Sequence, residues 1–168
     1  MPTSSAPEAQ FRDALSRFAS GVTVVAADDL EGRAWGFTAS SFCSLSADPP
    51  LVLVCLARSA ECHPAFMATG TFAISILREN HQNLALVFAS RGADKFAAGH
   101  FDRDANGQPV ASDALATLTC RVHERHEGGD HVILIGEVTD ASVNDGSPLV
   151  YFNRGFRDIA VDEASVSA

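Results

Sequence analysis

Four short runs of β-branched and aromatic residues set the first half of this chain: residues 22–27 (VTVVAA), 35–45 (WGFTASSFCSL), 51–56 (LVLVCL) and 71–77 (TFAISIL). Asp28-Asp29, Pro49-Pro50 and Gly70 break the chain between them, so each run has the length and the bounds of a strand rather than of a helix. Two longer extended runs, 116–124 and 131–141, follow in the second half. Gly128-Gly129 lies between them and predicts a hairpin with a short acidic turn, and residues 149–152 (LVYF) add a last short strand. Helical spacing is confined to short pieces. Phe11, Leu15 and Phe18 recur once per turn after Pro7, with Gly21 placed to end a first helix. Residues 61–69, 80–90 and 93–98 carry helix-compatible patterns, and 101–112 (FDRDANGQPVAS) has the composition of a turn-rich loop. Six or seven strands with helices inserted, rather than regularly alternating, predict a mainly β fold of barrel type and not a doubly wound parallel sheet.

The chain has 168 residues and a net charge of -9. That length predicts one domain, residues 10–161, with a flexible start (1–9) and a disordered tail (162–168). The acidic balance argues against nucleic acid, whose phosphates are held by clustered Lys and Arg. No apolar run approaches the roughly 20 residues that span a bilayer, and residues 1–10 lack the basic and apolar parts of a signal peptide, so the expectation is a soluble, cytoplasmic protein without a membrane partner. Cys43, Cys55, Cys62 and Cys120 form no C-x-x-C pair and are expected to be thiols serving as small buried hydrophobes.

Several local patterns suggest chemistry. Asp102, Asp104, Asn106, Gly107 and Asp113 approach the spacing of a calcium loop, but Pro109 lies inside it and an Asp stands where a Glu closes such loops; a solvated turn is the better reading. His123 and His126, three apart in an extended run, point to opposite faces and do not form a zinc pair. Ser40, Ser41 and Ser44 lack the G-x-S-x-G elbow of a hydrolase nucleophile. The same region has another use: Thr38, Ser40 and Ser41 around the small Ala39, with Arg58-Ser59 directly after a strand, are two donor-rich strand ends that could bracket one phosphate, although ordinary sheet Ser and Thr would look the same. No G-x-G-x-x-G or G-x-x-x-x-G-K-[ST] occurs, so a nucleotide would not be held by a Rossmann or P-loop device. His131, in Gly129-Asp130-His131 at the head of an apolar strand, reads by itself as a structural histidine.

Taken in order, F-x-x-A-L-S-R-F-A-S-G-V-T-V-V, G-F-T-A-S-S-F-C-S-L-S-A-D-P-P-L-V-L-V-C-L, K-F, G-D-H and Y-F-x-R resemble the short-chain flavin reductase family over residues 10–158. The resemblance implies the FMN-binding split β-barrel, usually a homodimer. It also implies NAD(P)H:flavin oxidoreductase activity that supplies diffusible reduced flavin to a partner flavin-dependent monooxygenase. A flavoprotein that retains its flavin as a prosthetic group, or a non-catalytic flavin-binding dimer, are the alternatives.

The same resemblance implies site residues. Thr38, Ala39, Ser40 and Ser41 would lie beside the flavin ring and ribityl chain. Cys55, Leu56, Ala57, Arg58 and Ser59 would supply donors to its rim and phosphate. Phe88, Ala89, Ser90, Lys95 and Phe96 would be further flavin contacts, with Lys95 a phosphate cation. Gly129, Asp130 and His131 resemble the nicotinamide-binding signature, which makes His131 the candidate catalytic residue. Tyr151, Phe152 and Arg154 resemble the C-terminal pocket wall. Cys62 and His63 depart from the pattern where many relatives carry a hydroxyl residue. The implied cofactors are FAD or FMN with NADH, or with NADPH if Arg91, Arg125 or Arg157 is placed for the extra phosphate; NADH is preferred.

Overall fold

In the computed structural model, which describes residues 8–159, the chain starts with helix α1 (Glu8–Ser16) and continues through strands β1 (Ser20–Gly21), β2 (Thr23–Asp28), β3 (Ala34–Ala39), β4 (Cys43–Ala47) and β5 (Pro50–Ala57). Helix α2 (His63–Ala68), β6 (Thr71–Ile76) and α3 (Gln82–Ala89) come next. The second half holds the small strands β7 (Phe101–Arg103) and β8 (Pro109–Ala111), the long pair β9 (Ala116–Gly128) and β10 (His131–Val143), and the short pair β11 (Val150–Phe152) and β12 (Gly155–Arg157). The expected tail, 162–168, and most of the expected flexible start, 1–9, lie outside the described residues; Glu8 and Ala9 are helical.

Seven strands form one antiparallel sheet in the order β3-β2-β6-β9-β10-β5-β4. This is the mainly β fold that the sequence predicts, with few helices; β3 and β4 are the sheet's edges and are not paired with each other. The run 35–45, expected as one strand, is two. It breaks at Ser40, Ser41 and Phe42, and the chain crosses there from β2's neighbour to β5's neighbour. Ser41 fixes the crossing: its Oγ accepts the Cys55 N–H at 2.9 Å.

Burial explains why the apolar runs do not alternate. In β2 the neighbours Val24 and Val25 are both fully buried and belong to different cores. Val25 packs with Val54, Phe66, Phe72 and Leu134 on one face; Val24 packs with Leu77, Phe88 and Leu149 on the other. A strand covered on both faces reads as continuously apolar. In β5 the run is equally apolar but burial alternates: Val52, Val54 and Leu56 are buried, whereas Leu53, Cys55 and Ala57 are half-buried. Their partners across the ladder on β10, Ile135, Ile133 and His131, are half-buried as well.

Four expectations need correction. Residues 93–98 are not helical; Gly92 and Gly99, both at φ +71°, bracket turns closed by Ala97 N–H to Asp94 O and Gly99 N–H to Phe96 O, a stretch too short to propagate a helix. The 101–112 loop contains the β7–β8 hairpin. Asp104 organises its turn, with Oδ1 accepting the N–H groups of Asn106 and Gln108 at 2.9 and 2.8 Å. Helix α1 ends at Ser16 and Gly21 is in β1, while Phe11, Leu15 and Phe18 are exposed. Of the cysteines, Cys62 and Cys120 are buried but Cys43 is exposed and Cys55 half-buried. The β11–β12 pair extends the single strand expected at 149–152.

Candidate functional site

The β9–β10 hairpin closes through Gly129 and Asp130, with Gly129 at φ +69°, the conformation that a two-residue turn of this kind asks of its first residue. The tip lands on the end of β5. His131 stands directly across from Ala57, and the Arg58 N–H donates to Asp130 O at 2.9 Å. Helix α3 approaches the same place from the other side, through β3. Gly36 has no side chain to hold it off, and Thr38 Oγ1 donates to Ala85 O in α3 at 2.6 Å.

Between these elements lies a cavity of about 260 Å³. Ten of the residues singled out in the sequence line it: Thr38, Cys55, Leu56, Ala57, Ser59, Phe88, Ala89, Ser90, Lys95 and His131. They come from five separate stretches of chain. Cys62, noted as a departure from the family pattern, lines it too; Phe37, Ala60 and Glu61 complete the wall and were missed, since nothing in their residue types marks them and their contribution is position alone. Arg91, expected only as a candidate for the extra phosphate of NADPH, also lines the cavity and donates from Nη2 to Ser59 Oγ at 3.2 Å.

Other expected residues are placed elsewhere. Ala39 is buried in the core, Ser40 is exposed at the strand break, and Ser41 is occupied with β5. Arg58 forms an ion pair with Glu127. Phe96 packs edge-on against Phe88, with ring centroids 5.1 Å apart, and lines a neighbouring cavity. Gly129 and Asp130 form the turn behind His131 rather than the wall. Tyr151, Phe152 and Arg154 do not reach the cavity of this chain. β11 pairs with β1, and Arg154 Nη2 donates to Asp13 of α1 at 2.5 Å, so the C-terminal strands are committed to the N-terminal segment. Arg125 is also committed, spanning the carbonyls of Phe66 and Thr69 at the end of α2.

Arg91 and Lys95 favour an anion in the cavity. Lys95 Nζ donates to Phe88 O at 2.9 Å and Gly36 O at 3.2 Å, which holds the ammonium at the wall; burial pushes its pKa below the usual lysine range, partly offset by Cys62 and Glu61. Glu61 accepts the Gly92 N–H and thereby fixes the loop that carries Arg91. Burial pushes the Cys62 thiol up to about 11, so it is a protonated wall residue at neutral pH and not a nucleophile. His131 also lines the cavity: its Nδ1 and Asp130 Oδ1 are 2.7 Å apart, and this hydrogen bond holds the Asp130 carboxyl below its usual range. Cations and an oriented imidazole around one cavity that apolar side chains also line can hold a phosphorylated ring system and present its face to a second ligand.

Comparisons with known proteins identify the family. Residues 15–160 match the family model described as the flavin reductase like domain. The actinorhodin polyketide dimerase of Streptomyces coelicolor is 50% identical over 153 residues, covering 90% of this chain and 86% of that protein. The reductase component of the 4-nitrophenol 4-monooxygenase/4-nitrocatechol 2-monooxygenase of Rhodococcus opacus is 43% identical over 149 residues, 89% of this chain and 80% of that one. Among solved structures, the NADH:FAD oxidoreductase SgcE6 of Streptomyces globisporus C-1027, in complex with NAD and FAD fragments, superimposes with a TM-score of 0.87 at 35% identity, covering 92% of this chain and 94% of that one. By family match, identity and fold together, the chain belongs to the flavin reductase like domain family.

Proposed function

We propose that this chain is an NADH-dependent flavin reductase that passes reduced flavin to a separate flavin-dependent monooxygenase. The observation that carries the reading is the convergence of the ends of β5 and α3, Lys95 and the His131 hairpin tip on one cavity. The donor set fits a flavin nucleotide: Ser59, Arg91 and Lys95 would hold its phosphate, while Thr38, Cys55, Ala57 and Phe88 would border its ring. When bound beside a nicotinamide, a flavin supplies the hydride-accepting chemistry itself. The protein's part is placement. Ser41 pins the β3–β4 crossing to β5, Gly36 admits Phe88, and Asp130 orients His131, whose remaining ring nitrogen is free to hold the dinucleotide.

The names of the relatives support both halves of the reading, one being an NADH:FAD oxidoreductase and another a monooxygenase reductase component. A homodimer belongs to the same proposal. Leu53, Cys55, Ile133 and Ile135 form a half-buried apolar row on the outer face of β5 and β10, beside the cavity, and a second copy would cover it. Among the described residues no helix is long and apolar enough to cross a membrane. The test is NADH oxidation with and without added FMN or FAD. Oxidation that depends on added flavin and saturates with it supports the reading; none with either flavin overturns it.

A further inference from the structure

Two cross-links tie the turn after β5 to the loop after α3. Arg91 Nη2 donates to Ser59 Oγ at 3.2 Å, and the Gly92 N–H donates to both carboxylate oxygens of Glu61, at 3.2 and 3.1 Å. Ser59, Glu61 and Arg91 all line the 260 Å³ cavity. Lys95 lines it too, and lies near enough to Glu61 and Cys62 for both to act on its charge.

The charges of this wall are not paired off. Glu61 is exposed and makes no ion pair among the described residues, its oxygens being taken up by a neutral N–H. Lys95 is held by two carbonyls, and Arg91 by a hydroxyl. Cys62, a protonated thiol at neutral pH, adds no charge.

A phosphate monoester carries about -1.5 to -2 at pH 7, so its binding depends on what the wall supplies against that charge. The charged groups lining the cavity are two cations, Arg91 and Lys95, and one carboxylate, Glu61, which offsets half of the positive charge. A carboxylate has no proton to donate to a phosphate. The fastening of Gly92 does not need the negative charge either, since a neutral amide oxygen would accept that N–H as well. The loop therefore explains the acceptor at this position and leaves its charge unexplained. A reductase that exports reduced flavin has a use for it, because release limits turnover in many enzymes and affinity is tuned mostly through the rate of leaving.

We propose that Glu61 is a specificity-determining residue that weakens the hold on the flavin phosphate and keeps the flavin exchangeable. The proposal rests on the flavin reductase reading of this cavity and adds to it how this chain sorts flavins. Glu61 narrows the preference for FMN over riboflavin, which has the same ring and ribityl chain without the phosphate.

The test is equilibrium dialysis of FMN and of riboflavin against the unaltered protein and Glu61→Gln, which keeps the size of the side chain and an acceptor for Gly92. FMN should bind the variant about fivefold more tightly and riboflavin within about twofold of the unaltered protein, because only FMN carries the charge that Glu61 repels. The gain for FMN should shrink at about 0.5 M salt, a screening that a purely structural role would not show. Glu61→Ala also releases Gly92; it should raise the ratio of the riboflavin to the FMN dissociation constant by less, and it carries the test if the glutamine variant does not fold. FMN affinity that is unchanged or weaker in Glu61→Gln, or a gain that riboflavin shares equally, overturns the proposal. Failure of the parent reading looks different, because the unaltered protein would then bind neither flavin.

Discussion

A Cβ on Gly36 would stand 2.7 Å from Cε1 of Phe88. The absent side chain lets α3 lie against β3, which brings the Phe88 ring and carbonyl to the cavity and gives Lys95 its two acceptors. Gly36→Ala should therefore cost about 1–3 kcal/mol in stability by overpacking and displace the Lys95 ammonium. Denaturant unfolding and flavin titration of the same variant check both. Unchanged stability with unchanged flavin affinity would show that α3 yields without cost.

Lys95 gives a pH test. Its folded pKa lies below the ordinary 10.5 because burial penalises the ammonium. The penalty to folding is present below that lowered pKa and is relieved as pH rises through it toward 10.5. The charge available to a phosphate disappears over the same window, so flavin nucleotide affinity should fall on the alkaline side before pH 10.5 is reached. Lys95→Arg, charged to above about pH 12, should retain affinity there. Identical alkaline profiles for the two proteins would remove Lys95 from the phosphate site.

His131→Ala should raise the apparent KM for NADH about tenfold, lower turnover and leave flavin affinity within about twofold, since the ring is assigned to the dinucleotide. Asp130→Asn should act in the same direction and less. The Asp130 carboxyl is held below 3.8 by the His131 bond, so ionisation of this group persists above that range and is lost only as pH falls through the lowered value. A tenfold loss of flavin affinity in His131→Ala, with KM for NADH unchanged, would move the residue into the flavin site.

Arg125 makes three hydrogen bonds to the carbonyls that end α2, at 2.5 to 3.2 Å. Arg125→Met, which keeps the stem, should lower stability by about 1–3 kcal/mol and leave the preference between NADH and NADPH as it was. Thermal unfolding and the ratio of kcat/KM for the two nucleotides separate these effects. A changed ratio at unchanged stability would return Arg125 to the nucleotide.

The strands were legible because their apolar runs are short and sharply bounded, and the hairpin was legible from Gly128-Gly129, although its turn lies one residue later, at Gly129-Asp130, with Gly128 still paired to His131. The break at Ser40, Ser41 and Phe42 was not. Its residues have ordinary strand propensity, and what breaks the strand is a change of neighbour from β2 to β5, a tertiary fact held by Ser41. Donor clustering marked Thr38 and Ser59, and family resemblance marked His131, all of which meet at the cavity. Tyr151, Phe152 and Arg154 were expected there and lie with β1 and α1 instead; pairing of β11 with a two-residue strand far away in sequence leaves no local signal. Arg91 and Arg125 were indistinguishable as charges, and only the carbonyls around Arg125 and the hydroxyl beside Arg91 separate them.

The most direct test of the account is anaerobic mixing of catalytic protein with NADH and free flavin in large molar excess, following the bleaching of oxidised flavin. Bleaching should continue through many equivalents of flavin per protein, limited only by the NADH supplied. Bleaching that stops at one flavin per protein, or does not occur with FMN or FAD, would contradict it.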